Sequence, residues 1–232
     1  MNKKVLFIGD IHGLSEWDQI AKNGLKQFYE IVFLGDYVDS FYVKTGEQLY
    51  NLNNLCTFIR KNKNNKVTAL LGNHDYAYIH NIDSISGKQY MHAYEYKKIF
   101  DDNKDLFQMA WGYTNLITKK YTLATHAGIT SKFYKEHIES NMEESEMIHD
   151  VLNRLQDYKE MMWRVGRMRG GYGTPGPLWT DYLELIDDPY PGINQVFGHT
   201  PNFPRLDHFG DDFIACIDSR GNSKVESMII SL

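Results

Sequence analysis

The stretch EIVFLGDYVDS (residues 30–40) joins an apolar run to a glycine and two aspartates three positions apart. Branched and aromatic side chains in such a run are typical of a buried strand, and the Gly-Asp pair indicates a loop at its carboxyl end. The same pattern recurs upstream in KKVLFIGD (3–10) and downstream in KVTALLGNHD (66–75). We therefore predict three buried strands that each end in polar residues.

The segments between these strands have helical character. We predict a helix within residues 14–29, with Ser15 as its N-cap, and a second at residues 47–61, where large apolar side chains recur at helical spacing. Strands that alternate with helices are typical of a parallel or mixed sheet covered on its faces. The predicted fold class is therefore α/β.

The second half of the chain is less regular. We expect a tight hairpin at residues 116–128 whose second strand ends at His126, and a polar, methionine-rich helix at 142–165. A glycine-rich loop follows at 167–177. The remaining predicted elements are an aromatic core segment at 178–186 and three short strands at 193–201, 213–218 and 225–232.

Composition limits the possible classes of protein. A chain of 232 residues with 42% hydrophobic content can bury one substantial core, so we predict a single domain over residues 1–232. The net charge of −5 argues against a wide nucleic-acid surface or an anionic membrane as partner. Cys56 and Cys216 lie in apolar surroundings, which indicates buried free thiols in a reducing compartment. We therefore expect a cytoplasmic protein.

The polar residues at the predicted strand ends suit metal ions. In open α/β sheets, ligands bind in the crevice outside the carboxyl ends of the strands. Asp10 and His12 are two positions apart in extended chain, so both side chains can face one ion. Each residue alone is more often a cap, a turn residue or a satisfied polar group. Their shared location favours a metal site, and the candidates are Asp10, His12, Asp36, Asn73, His74, His126 and His199.

The blocks around these residues resemble a known family. GDIHG, GDYVDS, GNHD, THAG and GHTP, spread from Asp10 to His199, are similar to the signature blocks of the calcineurin-like metallophosphoesterases. Within that family they resemble the phosphoprotein phosphatase branch, which includes small bacterial and bacteriophage enzymes. Nuclease-like members have a Gly-His-x-His pattern with a second histidine in the last block, whereas this chain has Gly198-His199-Thr200-Pro201. The resemblance implies an αββα sandwich of mixed β-sheets that hydrolyses phosphate esters with two metal ions.

The resemblance also implies a role for each residue. Two divalent ions about 3.5–4 Å apart would lower the pKa of a bridging water, so that hydroxide attacks a phosphomonoester at neutral pH. His74 would be the general acid, held and polarised by Asp39. We expect Mn²⁺, although Fe, Zn, Co or Ni also suit these donors. The implied ligands are Asp10 and His12 on the first metal, Asp36 between the two, and Asn73, His126 and His199 on the second.

Ser40 departs from the pattern of the branch. The second block ordinarily ends in an arginine that grips phosphate oxygens, and its loss should reduce affinity or rate. Arginines before the last histidine are candidates to replace it, although they are equally consistent with solvated loop charges. In order of preference these candidates are Arg169, Arg167 and Arg164, with Arg220 as an outsider.

The sequence leaves several classes of substrate open. A phosphorylated protein or small molecule is expected, without a stable nucleic-acid partner. Asp75 stands where eukaryotic protein phosphatases have glutamate, which weakens the case for protein substrates. The Arg-Met-Arg stretch at 167–169 is similar to one in bacterial dinucleoside tetraphosphatases, so hydrolysis of dinucleoside polyphosphates is the alternative. Ser40 also leaves open a metal-binding module that has lost catalysis, although all six ligands and His74 are retained.

Overall fold

The computed structural model describes residues 3–27, 29–62, 64, 66–201, 204–218 and 224–232. The strands among these residues are β1 Lys4–Ile8, β2 Glu30–Phe33, β3 Val67–Leu70, β4 Phe107–Gln108, β5 Ala110–Thr114, β6 Tyr121–Thr125, β7 Ile193–Phe197, β8 Arg205–Phe209, β9 Asp212–Cys216 and β10 Ser227–Ser231. The α-helices are α1 Glu16–Lys26, α2 Thr45–Asn62, α3 Asn73–Ile79, α4 Ala93–Asp102, α5 Ser131–Phe133, α6 Ile148–Arg154, α7 Lys159–Met162 and α8 Tyr182–Asp187.

The strands form two mixed sheets of five strands each. The first has the order β10-β1-β2-β3-β4, in which β10 is antiparallel to β1 and the other neighbours are parallel. The second has the order β5-β6-β7-β9-β8, with a parallel centre of β6, β7 and β9 and an antiparallel strand at each edge. The parallel strands of each sheet therefore end at one common edge, which is where ligands bind in such sheets.

Alternation along β1 shows how the layers pack. Val5 and Phe7 point into an apolar cluster that the two sheets share, which also contains Trp111 and Val196 from the second sheet. Leu6 and Ile8 point to the opposite face of the sheet and contact the helical layer. Successive side chains of a strand face opposite sides of a sheet, so one strand serves both cores. On the outer face of the second sheet, α8 packs against β7 and β9. The predicted αββα sandwich is confirmed.

Two predictions in the second half of the chain are wrong in detail. The first strand of the predicted hairpin is Ala110–Thr114, and residues 115–120 form the turn. The Asn115 side chain accepts hydrogen bonds from the backbone N–H groups of Ile117 and Thr118. The apolar pair Leu116 and Ile117 therefore lies in the turn and not in a strand. The single helix predicted at 142–165 is two short helices, α6 and α7. Arg154 binds the Glu146 carboxylate and the Asn141 carbonyl, which ties the preceding residues into a loop.

Both cysteines are buried and free, as the sequence predicted. Burial raises the pKa of the Cys56 thiol to about 12, which leaves it as an unreactive apolar side chain. None of the helices in the described part of the chain combines the length and the hydropathy that a membrane span requires.

Candidate metal centre

Five strands deliver the predicted ligands to one place. Asp10 and His12 follow β1, and Asp36 follows β2. Asn73 begins α3, three residues after the end of β3 at Leu70. From the second sheet, His126 follows β6 directly and His199 lies two residues beyond β7. All six side chains are buried, and they converge because the parallel strands of both sheets end at this edge.

Asp36 lies at the centre of the cluster. Its Oδ2 is 3.7 Å from Nε2 of His12 and 3.5 Å from Nε2 of His126. Nε2 of His12 is also 3.9 Å from Oδ2 of Asp10. The described residues contain two overlapping groups of possible metal ligands, His12, Asp36 and His74 in one and Asp36, His126 and His199 in the other. One carboxylate is thus within reach of two separate sets of donors.

Backbone hydrogen bonds fix the orientation of two histidines. His12 Nδ1 lies 2.9 Å from the Val38 carbonyl oxygen, and His126 Nδ1 lies 2.8 Å from that of Leu34. A carbonyl oxygen only accepts, so Nδ1 carries the proton in each ring and Nε2 presents a lone pair to the centre of the site. Histidines that bind metals are commonly held in this way, with the second nitrogen donating to a carbonyl or carboxylate.

The second donor group also fits a divalent cation. His126 Nε2 lies 2.9 Å from Asn73 Oδ1 and 3.2 Å from His199 Nδ1, so three atoms that can offer lone pairs face one another. His199 Nε2 is buried without a hydrogen-bond partner among the described residues. Carboxylate, imidazole and amide oxygen are donors that Mn, Fe, Zn, Co and Ni accept. The side chains therefore fit a divalent metal ion in both position and chemistry.

The protonation states agree with this donor set. Burial alone would raise the pKa of Asp36, but the surrounding imidazoles hold it well below its usual range. Burial lowers the pKa of His12 to about 4 and lowers those of His126 and His199 as well. Burial and the neighbouring carboxylates of Asp218 and Asp36 raise the pKa of Asp10, because like charges crowd one another there. A cation bound beside Asp10 would reduce this repulsion between the carboxylates.

His74 and Asp39 form a hydrogen-bonded pair beside the predicted metal ligands. Nδ1 of His74 lies 2.8 Å from Oδ2 of Asp39, whose side chain is fully buried. The other Asp39 oxygen accepts a 2.5 Å hydrogen bond from the Tyr78 hydroxyl. Burial lowers the pKa of His74, but the charges of Asp36 and Asp39 and the bond to Asp39 outweigh it, so that the pKa is raised overall. An imidazolium held by a carboxylate is suited to donating a proton.

These side chains surround a cavity of about 160 Å³. The described residues that line it are Asp10, His12, Asp36, Phe41, Asn73, His74, Ser86, Arg169, Trp179, His199, Pro201 and Asp218. A larger cavity of about 930 Å³ lies between α1 and α2, but none of the predicted ligands lines it. The smaller cavity is the candidate site because of its side chains, whatever its size.

Comparison with known families agrees with the motifs. The family model described as calcineurin-like phosphoesterase matches residues 3–225, which is nearly the whole chain.

The chain belongs to the calcineurin-like phosphoesterases.

Phosphoester hydrolysis is therefore the reaction class of its family.

Solved structures that match the chain include a phosphatase, a phosphoesterase and a phosphodiesterase. A serine/threonine phosphatase from Saccharomyces cerevisiae with similarity to human phosphatase PP5 matches with a TM-score of 0.44 and 15% identity, over 94% of this chain and 68% of that one. The phosphoesterase YfcE from E. coli matches with a TM-score of 0.40 and 16% identity, over 95% and 84%. An archaeal phosphodiesterase matches with 0.36 and 11%, over 99% of each chain. No curated protein sequence matches the chain.

The backbone of this phosphoesterase is strained where its signature residues lie. His12, Asp36, Asp39 and His199 have positive φ angles of 42°, 53°, 65° and 62°, which non-glycine residues seldom adopt. Asp75 supports one of them, because its buried carboxylate accepts the backbone N–H groups of Asp36, Tyr37 and Gly72. Such strain persists only where the surrounding structure holds it, and it is common at functional sites.

The glycines of two signature blocks make room for carboxylates. A Cβ at Gly72 would overlap the carboxylate of Asp36, and a Cβ at Gly198 would overlap that of Asp10. The Gly-Asn and Gly-His pairs of the sequence therefore reflect close approach of the backbone to an acidic side chain.

The three predicted arginines lie in different surroundings. Arg169 lines the cavity, where its guanidinium is held by Asp181, with Nε 2.9 Å from Oδ2, and by the His199 carbonyl at 3.4 Å. Arg164 instead donates to the Thr174 carbonyl, and Arg167 is exposed, and neither is among the described residues that line the cavity. Arg220 lies outside the described residues. Of the three, the structure places Arg169 at the site.

Sequence reasoning missed other residues that line the cavity. Asp218 is buried beside Asp10, and Trp179 meets the His199 ring edge to face with centroids 5.4 Å apart. Trp179 was expected in the core, together with the rest of 178–186. Leu178, Tyr182 and Leu185 are buried as predicted, but Trp179 is partly exposed. The sequence contained one signal for Asp218. This residue follows β9 closely, and the carboxyl end of β9 lies at the same edge of the sheet as those of β6 and β7.

Ser40 is a structural residue of the turn that follows Asp39. Its hydroxyl accepts the backbone N–H groups of Tyr42 and Val43, each at 3.1 Å. Its own N–H donates to Oε1 of the buried Gln48, and the Gln48 amide group donates to the carbonyls of Ser40 and Val43. The Ser40 side chain stabilises this turn. The position of the expected arginine is therefore occupied by a serine that shapes the loop.

Proposed function

We propose that this phosphoesterase is a binuclear metal-dependent phosphomonoesterase whose catalytic domain spans residues 1–232. The observation that carries the proposal is the pair of donor groups that share Asp36, next to the His74–Asp39 pair in the same cavity. The proposed ligands are Asp10 and His12 for one ion, Asp36 for both, and Asn73, His126 and His199 for the other.

The chain's own residues divide the work of hydrolysis between them. When bound, two divalent ions would supply Lewis acidity and positive charge for activating water and neutralising phosphate oxygens. His12 and His126 are rigid donors, because each ring is fixed through Nδ1. His74 donates a proton to the leaving oxygen through Nε2, since Nδ1 is bonded to Asp39. Asp39 and Tyr78 are positioning residues that hold the imidazole in place.

The phosphate requires positive charge and access to the cavity. Among the residues that the structure describes, Arg169 is the arginine that lines the cavity. We propose that its guanidinium takes the place of the arginine that is absent at position 40. Its pairing with Asp181 orients the group, although it also offsets part of its charge. We propose Mn²⁺ as the metal and a phosphorylated protein or small molecule as the substrate, in the cytoplasm, with no stable nucleic-acid or membrane partner.

Hydrolysis of dinucleoside polyphosphates is the second candidate. It is favoured by Arg169, which belongs to the Arg-Met-Arg stretch and lines the cavity. The aromatic rings of Phe41 and Trp179 line the same cavity and offer surfaces on which a base can stack. A module that binds metal without catalysis is the third reading, and the His74–Asp39 pair argues against it because a purely structural ion needs no proton donor.

One set of assays separates the three candidates. Protein stripped of metal and reloaded with Mn²⁺ should release phosphate from p-nitrophenyl phosphate at least about a hundredfold faster than it cleaves bis(p-nitrophenyl) phosphate or diadenosine tetraphosphate. Asp36→Ala, which removes the shared ligand, is the matched negative control. A larger kcat/KM for diadenosine tetraphosphate would favour the second candidate. Two bound ions with no turnover on any of the three would favour the third.

A further inference from the structure

We propose that Phe41 selects phosphomonoesters whose leaving group is an aromatic ring attached directly to the phosphate oxygen, the chemistry of phosphotyrosine. The inference rests on the proposed function and names its substrate class. Phe41 lines the cavity together with His74, yet its side chain is 68% exposed. A large apolar ring exposed beside a polar cavity offers a surface that an apolar group of a ligand can cover.

Phe41 and His74 line the same cavity, so a group that leaves with the His74 proton departs within the space that the ring borders. His74 is bonded to Asp39, and the Asp39 carbonyl adjoins Gly87. The tip of the Phe41 ring adjoins the same glycine, since a Cβ at Gly87 would lie 3.2 Å from Phe41 Cζ and 3.4 Å from that carbonyl. The proton from His74 goes to the leaving oxygen inside this cavity, and the proposal places the group on that oxygen against the Phe41 ring.

The turn that carries Phe41 is rigid. Ser40 and Gln48 hold residues 40–43 through hydrogen bonds to three backbone N–H groups and two carbonyls. Gln48 is itself fully buried, and its stem lies against Gly13. A ring presented on such a turn loses little conformational entropy when a ligand binds, which favours recognition by a single side chain. The same residues explain why Ser40 stands where a phosphate-binding arginine was expected.

Phe41 lines the cavity yet is largely exposed, so it borders the opening, and this position favours an aryl group over a nucleoside. A volume of about 160 Å³ holds little beyond a phosphate group and the metal ions. In an aryl phosphate the ring begins at the leaving oxygen and reaches Phe41 at once. In a nucleotide the ribose separates base and phosphate, which carries the base past this ring. Two paired aromatic rings stabilise a complex by more than the burial of their apolar area alone. An alkyl group of equal size that packs on Phe41 lacks this additional ring–ring interaction.

Binding of stable phosphonates tests the inference without any turnover. The dissociation constants of phenylphosphonate and cyclohexylphosphonate for Mn²⁺-loaded protein are compared by calorimetry. We expect a preference of about two- to twelvefold for the phenyl ligand, which Phe41→Leu abolishes and Phe41→Trp retains. Tyr42→Leu is the matched control, because Tyr42 is equally exposed next to Phe41 but is not among the described residues that line the cavity.

Each alternative result decides the question. An unchanged phenyl preference in Phe41→Leu, or an equal weakening of both phosphonates, would overturn the inference. So would a greater effect of Phe41→Leu on adenosine 5′-monophosphate than on phenylphosphonate, which would assign the ring to a nucleoside. If the phenyl preference depends on Phe41 but the protein hydrolyses no phosphomonoester, the proposed function fails and the aryl subsite stands. Phe41→Trp keeps the test valid should the leucine variant fold poorly.

Discussion

The floor of the cavity and its rim are built in different ways. We call the six proposed metal ligands the floor, and Phe41, Ser86, Arg169 and Trp179 the rim. Every floor side chain is buried, with His199 the most exposed at 7%, whereas Phe41 on the rim is 68% exposed. Floor residues lie within four residues of the carboxyl end of a strand, so the two sheets fix their positions, but rim residues lie on loops and turns. We therefore propose that the floor carries the chemistry common to the family and that the rim sets the choice of substrate.

The largest effect is expected from breaking the floor at the carboxylate shared by its two halves. Asp36→Ala should bind essentially no metal and lose at least about a thousandfold in kcat/KM for p-nitrophenyl phosphate, because both ions lose a ligand. His199→Ala removes a donor from one half alone and should retain about one ion per chain. Elemental analysis of the desalted proteins measures both. Equal metal content in the two variants would contradict the shared role of Asp36.

His74→Asn should come next, with an effect that depends on the leaving group. Loss of a general acid costs about a hundred- to ten-thousandfold. The cost should be larger for glycerol 2-phosphate, whose alkoxide needs a proton, than for p-nitrophenyl phosphate, whose phenolate leaves unaided. Metal content serves as the control, because His74 also belongs to one of the donor groups. A uniform loss on both substrates at full metal content would show that His74 is not the proton donor.

The floor could be predicted from the sequence because strand ends impose it. A short apolar run that stops at Gly-Asp, Gly-Asn-His or Gly-His reveals both the strand and the residue that its end presents. Parallel strands then place those residues at one edge, so proximity follows from topology without a contact map. Tyr78 escaped this reasoning, since it lies a full turn and more into α3 and reaches Asp39 only through helix geometry.

The arginines provide the next test, and it falls on the rim. Arg169→Ala should lower kcat/KM for phosphomonoesters about tenfold, because a charge-assisted contact with phosphate is lost from a partly exposed group. Arg167→Ala is the matched control, two residues away and exposed, and should change kcat/KM less than about twofold. A larger loss from Arg167→Ala would mean that the 167–169 turn rearranges when substrate binds.

The rim could not be predicted in the same way. Arg169 was preferred from the sequence and does line the cavity, but Arg164 and Arg167 lie in the same stretch, and it is the 3₁₀ turn at Arg167–Arg169 that separates them in space. The Leu116-Ile117 pair was misread for a related reason, since apolar residues in a side-chain-stabilised turn imitate a strand. Strand β8 has an almost fully exposed pattern and so gives no alternating apolar signal. Loops are specified by individual hydrogen bonds, which periodicity does not record.

The smallest effect is expected at Ser40, and it tests whether the rim is set by the turn. Ser40→Ala removes the acceptor for the N–H groups of Tyr42 and Val43, which should lower the free energy of unfolding by about 1 kcal/mol. Metal content should not change, since the neighbouring Asp39 is held separately by His74 and Tyr78. The phenyl preference should fall by about twofold, because Gln48 still holds the turn from its other side. Ser86→Ala, a rim substitution outside this turn, should leave that preference unchanged. If Ser40→Ala instead lowers activity on all substrates alike, residue 40 acts on the floor, and the division between the two regions is wrong.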